Sequence, residues 1–178
     1  KTQAEMAMER EQRTDALYEI NKRLLGTRGT NNIVDLSNSY IVSLFGRSVI
    51  FYPSDPMGGA RGSFLQAAGE EDSSFMKSIS EQAVAHWVFV NEKPAGSGTD
   101  TLMGAGCFYM PIISQGLVLG VIGVSCAQSK LDSEKRFFLE MVISLVATAL
   151  ERQRLSDSQR GLLVESEKEK MRGNLLRA

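Results

Sequence analysis

Strong helix formers fill residues 2–25 without a Gly or Pro until Gly26 offers a stop, so this stretch reads as one helix. Along it Met6, Leu17, Ile20 and Leu24 fall on alternating steps of three and four if Arg10 and Arg13 occupy the intervening positions. Two readings fit that register equally: a coiled-coil seam with a polar middle, or an amphipathic helix lying on its own domain. A second helix is expected over 32–45, where Ile33, Leu36, Tyr40 and Leu44 form a stripe, Asp35 sits in the first turn and Gly46 ends the run. Residues 47–52 and 63–68 read as neighbouring strands separated by Pro53-Ser54-Asp55-Pro56 and a glycine-rich connection. A third helix, capped by Ser73 or Ser74 and running to about Val90, would carry Met76, Ile79, Ala83 and Trp87 on one face. The apolar runs 107–113 and 117–126, joined by Ser114-Gln115-Gly116, read as a hairpin at the centre of a sheet. Apolar side chains on both faces of these strands call for helices on both sides of that sheet.

No proline interrupts 132–178, which reads as one helix of about 45 residues, roughly 68 Å long. Phe138, Val142, Leu145 and Ala149 repeat at coiled-coil spacing, and Phe137, Met141 and Leu150 widen the apolar face enough to pack on a sheet as well. Beyond Gln153 the stripe thins. Ser156-Asp157-Ser158-Gln159-Arg160-Gly161 is a polar interruption, after which Val164, Met171 and Leu175 resume a seam with Lys168 inside it. That interruption suits a signalling linker and a merely solvated helix alike.

Composition narrows the function classes. A chain of 178 residues with 43% hydrophobic content buries one sizeable core. Twenty basic against twenty-one acidic residues leave a net charge of -1, which gives nucleic acid no electrostatic footprint. Cys107 and Cys126 lie in strand-like runs without CxxC spacing, a pattern of a reducing compartment and not of a disulfide scaffold. The longest apolar stretch, 117–127, has roughly half the ~20 residues of a membrane-spanning helix. The chain opens at Lys1 without a start methionine or signal peptide, so it reads as a segment of a longer protein.

No phosphate-binding loop, dinucleotide fingerprint or HExxH helix occurs. His86, the one histidine, has no phosphoacceptor context, and with so few ligands no metal site is expected. The loop 94–102 is the candidate ligand site, because its small residues let backbone amides approach a bound group while Ser97, Thr99, Asp100 and Thr101 offer donors and acceptors. The same residues also suit a local turn, with Thr99 or Asp100 as its cap. Trp87 and Tyr109, with Phe89 and Phe108, are either ordinary core aromatics or the wall of a pocket between sheet and helix.

The run Lys93-Pro94-Ala95-Gly96-Ser97-Gly98-Thr99-Asp100-Thr101-Leu102, taken with the tail Met171-Arg172-Gly173-Asn174-Leu175-Leu176-Arg177-Ala178, resembles the GAF domain of the KdpD family of sensor histidine kinases and the start of its dimerisation and phosphoacceptor helix. Met103 stands where the family has a proline, and Ser97 where it often has an alanine. The resemblance implies an α/β (α+β) fold with a central antiparallel sheet of five or six strands, helices packed on one face, and long terminal signalling helices. It divides the chain into an N-terminal signalling helix over 1–26, a GAF sensor domain over 27–152, and a linker with the start of the dimerisation helix over 153–178. It further implies a homodimer through the terminal helices, with Leu17, Ile20, Leu24, Phe138, Val142, Leu145 and Ala149 in the seams and Gly161 at the linker. The segment itself would hold no catalytic residue and no cofactor; the parent would be a kinase using ATP and Mg, set in the inner (plasma) membrane of a bacterium with this domain in the cytoplasm. That parent would phosphorylate the response regulator KdpE in a two-component phosphorelay controlling potassium-transporter expression. Alternatives within the fold are a cyclic-nucleotide or bilin module of another receptor or transcription regulator, and a methionine sulfoxide reductase, whose reactive cysteines Cys107 and Cys126 do not resemble.

Overall fold

The computed structural model describes residues 1–177, in the order α1 Gln3–Leu25, α2 Thr30–Phe45, β1 Val49–Tyr52, β2 Ser63–Leu65, α3 Ile79–Asn91, β3 Ala95–Gly96, β4 Cys107–Ser114, β5 Leu117–Ser125 and α4 Ser133–Arg177. Ala178, the last residue of the family-like tail, lies outside the described residues. Every strand pair is antiparallel and the spatial order is β2-β1-β5-β4-β3. The β4–β5 hairpin turns on Gln115 and Gly116, both at positive φ (50° and 76°), a conformation whose twist matches that of the paired strands.

Alternation along the strands sorts the core into two layers. Val49, Phe51, Phe108, Ile112, Ile122 and Val124 face α1, α2 and α4, whereas Ile50, Tyr52, Cys107, Tyr109 and Val121 face α3. The sheet is therefore covered on both sides, as its doubly apolar strands demand, and not on one side as the family resemblance implies.

Polar residues shift several boundaries and faces. The first strand starts at Val49 instead of 47, because Arg47 turns inward and donates to Ser125 O at 3.0 Å, to Ser129 O, and to Ser129 Oγ at 2.9 Å. That buried guanidinium ties the β5–α4 connection to the sheet. The second strand ends at Leu65, short of 68: Ala67 N–H leaves the ladder and donates to Ser48 Oγ at 2.9 Å. On α2 the buried face is Ile33, Val34, Ser37, Asn38 and Ile41, while Leu44 is exposed. Hydropathy misplaces it because Ser37 Oγ donates to Ile33 O at 2.7 Å and Asn38 Nδ2 to Ser63 O at 3.2 Å, which gives both donors a partner inside and leaves Asn38 Oδ1 buried without one.

Neither Ser73 nor Ser74 caps the third helix. Ser74–Lys77 forms a short 3-10 helix, and Ser78 caps α3 by accepting the Glu81 N–H at 3.3 Å. Its inner face is Glu81, Ala85 and Val88, whereas Ile79 is 78% exposed and Ala83 is exposed, a rotation that brings the Glu81 carboxylate under the helix.

Ile20, Leu24, Phe138, Val142 and Ala149 are buried in the α1–α2–α4 layer, with Leu17 and Leu145 packed against it. Residues read as seams for a second chain are thus taken up by the domain's own core, since three helices on one sheet face consume a wider apolar stripe than a two-helix seam does. Helix α4 runs unbroken through 156–161.

Candidate functional site

The signature run begins on the short edge strand β3, where Ala95 pairs with Tyr109 and Gly96 with Phe108. Gly96 has φ 100°, and a Cβ there would lie 2.2 Å from Cys107 O, so only glycine lets this strand reach β4. The loop then closes on itself: Gly96 N–H donates to Thr101 O at 2.8 Å, and Ser97 N–H to Cys107 O at 2.9 Å. Thr99 fills its centre, with Oγ1 2.8 Å from Gly96 O and 2.7 Å from Thr101 O while accepting the Thr101 N–H at 3.1 Å. Its hydroxyl is a turn cap with little capacity left for a ligand. Asp100 is exposed and accepts from Thr101 Oγ1 at 3.1 Å.

Arg136 couples this loop to α4. Its Nη2 donates to Gly98 O at 2.8 Å, and its guanidinium lies 4.6 Å from the Phe108 ring centroid, so one side chain from the first turn of the exit helix grips both loop and sheet. Lys93, Pro94, Thr99, Asp100, Thr101 and Arg136 border an open cleft of about 410 Å³.

The six expected ligand residues do not converge. Thr99, Asp100 and Thr101 line that cleft; Ser97 is buried at the sheet edge; Trp87 and Tyr109 belong to the α3 layer on the far face. Tyr109 is fully buried, donating from its hydroxyl to Glu81 Oε1 at 2.9 Å, and Glu81 Oε2 accepts the Gly106 N–H at 3.0 Å. Burial, then the charges of Cys107 and Glu81, push the Tyr109 phenol far above its usual range. Burial and Glu81 likewise push the Cys107 thiol up, the reverse of what a reactive cysteine needs. Sequence reasoning missed Glu81, though the Ser78-x-x-Glu81 spacing carries a signal. It reads as a capping box, yet the carboxylate turns to Tyr109 and Gly106, leaving only the serine half of the box.

A second cavity, of about 590 Å³, opens on the α3 face and is bordered by Ile50, Tyr52, Arg61, Phe64, Lys77 and Gln82. Its rim, the β1–β2 connection, is pinned to α3 by Gln82 Nε2 donating to Pro56 O at 2.6 Å and by His86 Nδ1 lying 2.7 Å from Asp55 Oδ1. The His86 bond, then the Met57 N–H, hold the Asp55 carboxyl below its usual range. His86 thus serves as a half-exposed latch between α3 and this connection.

The chain is 39% identical to the sensor protein KdpD of Clostridium acetobutylicum over 95% of its length, and 34% identical to that of Escherichia coli over 99%. It is a KdpD-type GAF domain. The crystal structure of the GAF domain of the potassium sensor histidine kinase KdpD from Escherichia coli superposes with a TM-score of 0.61 and 29% identity, covering 81% of this chain and 96% of that one. A GAF domain of an Acinetobacter phosphoenolpyruvate-protein phosphotransferase shares the fold at a TM-score of 0.54 and 12% identity, covering 80% of this chain and 94% of that one. No family model matches the sequence. The chain spans 19% of the length of the KdpD proteins it matches, and among its described residues no helix is long and apolar enough to cross a membrane.

Proposed function

We propose that this GAF segment senses a cellular state and passes it along α4 to the catalytic part of a membrane-bound KdpD-type kinase. That kinase, with ATP and Mg, would phosphorylate a response regulator of the KdpE kind and so set potassium-transporter expression. The observation that carries this reading is the continuity of α4. The helix is gripped by the signature loop at Arg136, buried in the domain core at Leu139 and Val142, and continuous through Gly161 to Arg177. A continuous helix rooted in a sensor core, once its distal stretch is supported, moves its far end when the core shifts.

Gly161 lies in open space, where a Cβ meets no atom within 4 Å, so Gly161→Ala should raise helix stability by about 1 kcal/mol and bias the full-length kinase toward one output state. Inserting one residue between 156 and 161 should disturb autophosphorylation more than inserting seven, which restores the heptad phase. Equal effects of the two insertions would remove helix phase as the carrier of the signal.

Pairing of two copies through the terminal helices belongs to the same proposal. From Asp157 to Leu176 nearly every residue of α4 is exposed, Leu162, Met171 and Leu175 included, and an unsupported helix of this kind is marginal in water. With the expected seams buried inside the domain, the second copy would meet this distal stretch and the outward residues Phe137, Met141 and Leu155. Multi-angle light scattering of the chain should give twice the monomer mass at tens of micromolar, falling toward the monomer for Leu162→Lys with Met171→Lys.

If the 94–102 loop takes part in sensing, Thr99→Ala and Asp100→Ala should alter the signal dependence of kinase phosphorylation. Loss of a turn cap costs only about 0.5–2 kcal/mol, so both variants stay folded. Unchanged signalling in both would leave the loop as the anchor of Arg136 and nothing more.

A further inference from the structure

We infer that the cavity beneath the β1–β2 connection binds a small anion, with Arg61 and Lys77 holding its negative group and Tyr52 donating to it. The cavity, about 590 Å³, falls within the size of small-molecule sites. Its charge is lopsided. Among the described residues neither Arg61 nor Lys77 has a carboxylate or hydrogen-bond partner: the ion pairs join Lys1 to Glu9, Arg13 to Glu134, His86 to Asp55 and Arg154 to Glu151. Lys77 instead stands 4.6 Å from the Phe64 ring centroid, a contact that holds the ammonium at the rim without neutralising it.

The floor supplies a third donor. Tyr52 is only 4% exposed, lines the cavity, and makes no hydroxyl hydrogen bond to a described residue, which leaves that hydroxyl free to donate to a bound group. Burial pushes it up to about 12, which keeps it a donor at neutral pH. Glu81, the carboxylate whose field reaches Tyr52, has its oxygens occupied by Tyr109 and Gly106. Two cations and one neutral donor therefore converge on a cavity that no carboxylate borders, and Ile50 with the Tyr52 ring gives a flat apolar bed beside them. A carboxylate or phosphate on a small ring satisfies every one of these groups.

This adds a ligand class to the sensor reading above and rests on it only for its biological consequence. Binding is read on this chain without the kinase, so failure here leaves transmission through α4 intact, and failure of the insertion test leaves any binding result intact. The probes are phenyl phosphate, benzoate and neutral phenol, titrated into the isotope-labelled chain while backbone amide resonances are followed. Saturable shifts centred on Ile50, Gly62, Phe64 and Lys77 with one or both anions, and none with phenol, are expected; the preferred anion tells phosphate from carboxylate. Arg61→Gln and Lys77→Gln should each weaken binding about tenfold or more, the loss of one charge-assisted hydrogen bond. Both side chains are exposed and unbonded, so folding should be unaffected, and Tyr52→Phe tests the floor by removing the hydroxyl alone. No saturation at millimolar anion, shifts centred elsewhere, or undiminished affinity in the Arg61→Gln, Lys77→Gln double variant overturns the inference.

Discussion

Replacing Gly96 with alanine should cost about 3 kcal/mol or more and lower the melting temperature by roughly 6–12 °C. Two effects add. Alanine tolerates φ 100° poorly, and its Cβ would sit 2.2 Å from Cys107 O, a backbone atom that moves only if β3 leaves β4. Detachment breaks the Ser97 N–H bond to Cys107 O and loosens the Gly98 carbonyl that Arg136 holds, so loop and exit helix uncouple together. Thermal denaturation followed by circular dichroism reads the stability, and hydrogen exchange at Ser97 reads the edge strand. A melting temperature within a degree or two of the parent, with Ser97 still protected, would sink the claim that glycine is required here.

Glu81→Ala should destabilise the chain by about 2–4 kcal/mol, because it strands the buried Tyr109 hydroxyl and removes the acceptor of the Gly106 N–H in one step. Glu81→Gln should cost much less: its amide oxygen still accepts from Gly106, and its NH₂ donates to a Tyr109 hydroxyl that turns to accept. Urea unfolding of the two variants separates a hydrogen-bonding role from a merely space-filling one. Equal losses for alanine and glutamine would rule out the polar network as the source.

These two residues show different degrees of legibility. Gly96 stands inside a run whose spacing already marks a tight, small-residue loop, but only the approach of Cys107 O distinguishes it from Gly98, where a Cβ meets nothing closer than 3.4 Å. Glu81 stands in a spacing that carries a signal, but a misleading one, because a carboxylate three residues after a serine has an ordinary local explanation at a helix start. Trp87 and Tyr109, read as core aromatics or as the wall of a pocket between sheet and helix, lie together in the α3 layer, whereas Phe108 lies in the other one. Strand alternation puts Tyr109 and Phe108 on opposite faces of β4, and adjacency in sequence is then separation by the thickness of the sheet.

By itself the sequence determined the order and type of the main elements, the central hairpin, the long exit helix and the KdpD kinship, since these follow from periodicity, glycine placement and a contiguous motif. It also required a sheet covered on both sides, because its strands are apolar on both faces. Only the tertiary structure decided which helix faces point inward. Buried Ser37, Arg47 and Glu81, and the amide nitrogen of Asn38, find partners distant in the chain or on backbone carbonyls, so their burial cannot be read from hydropathy. The use of the α1 and α4 stripes within the domain was decided at the same level. A heptad stripe specifies that an apolar face must be covered, and whether a sheet or a second helix covers it depends on what the rest of the chain brings within reach.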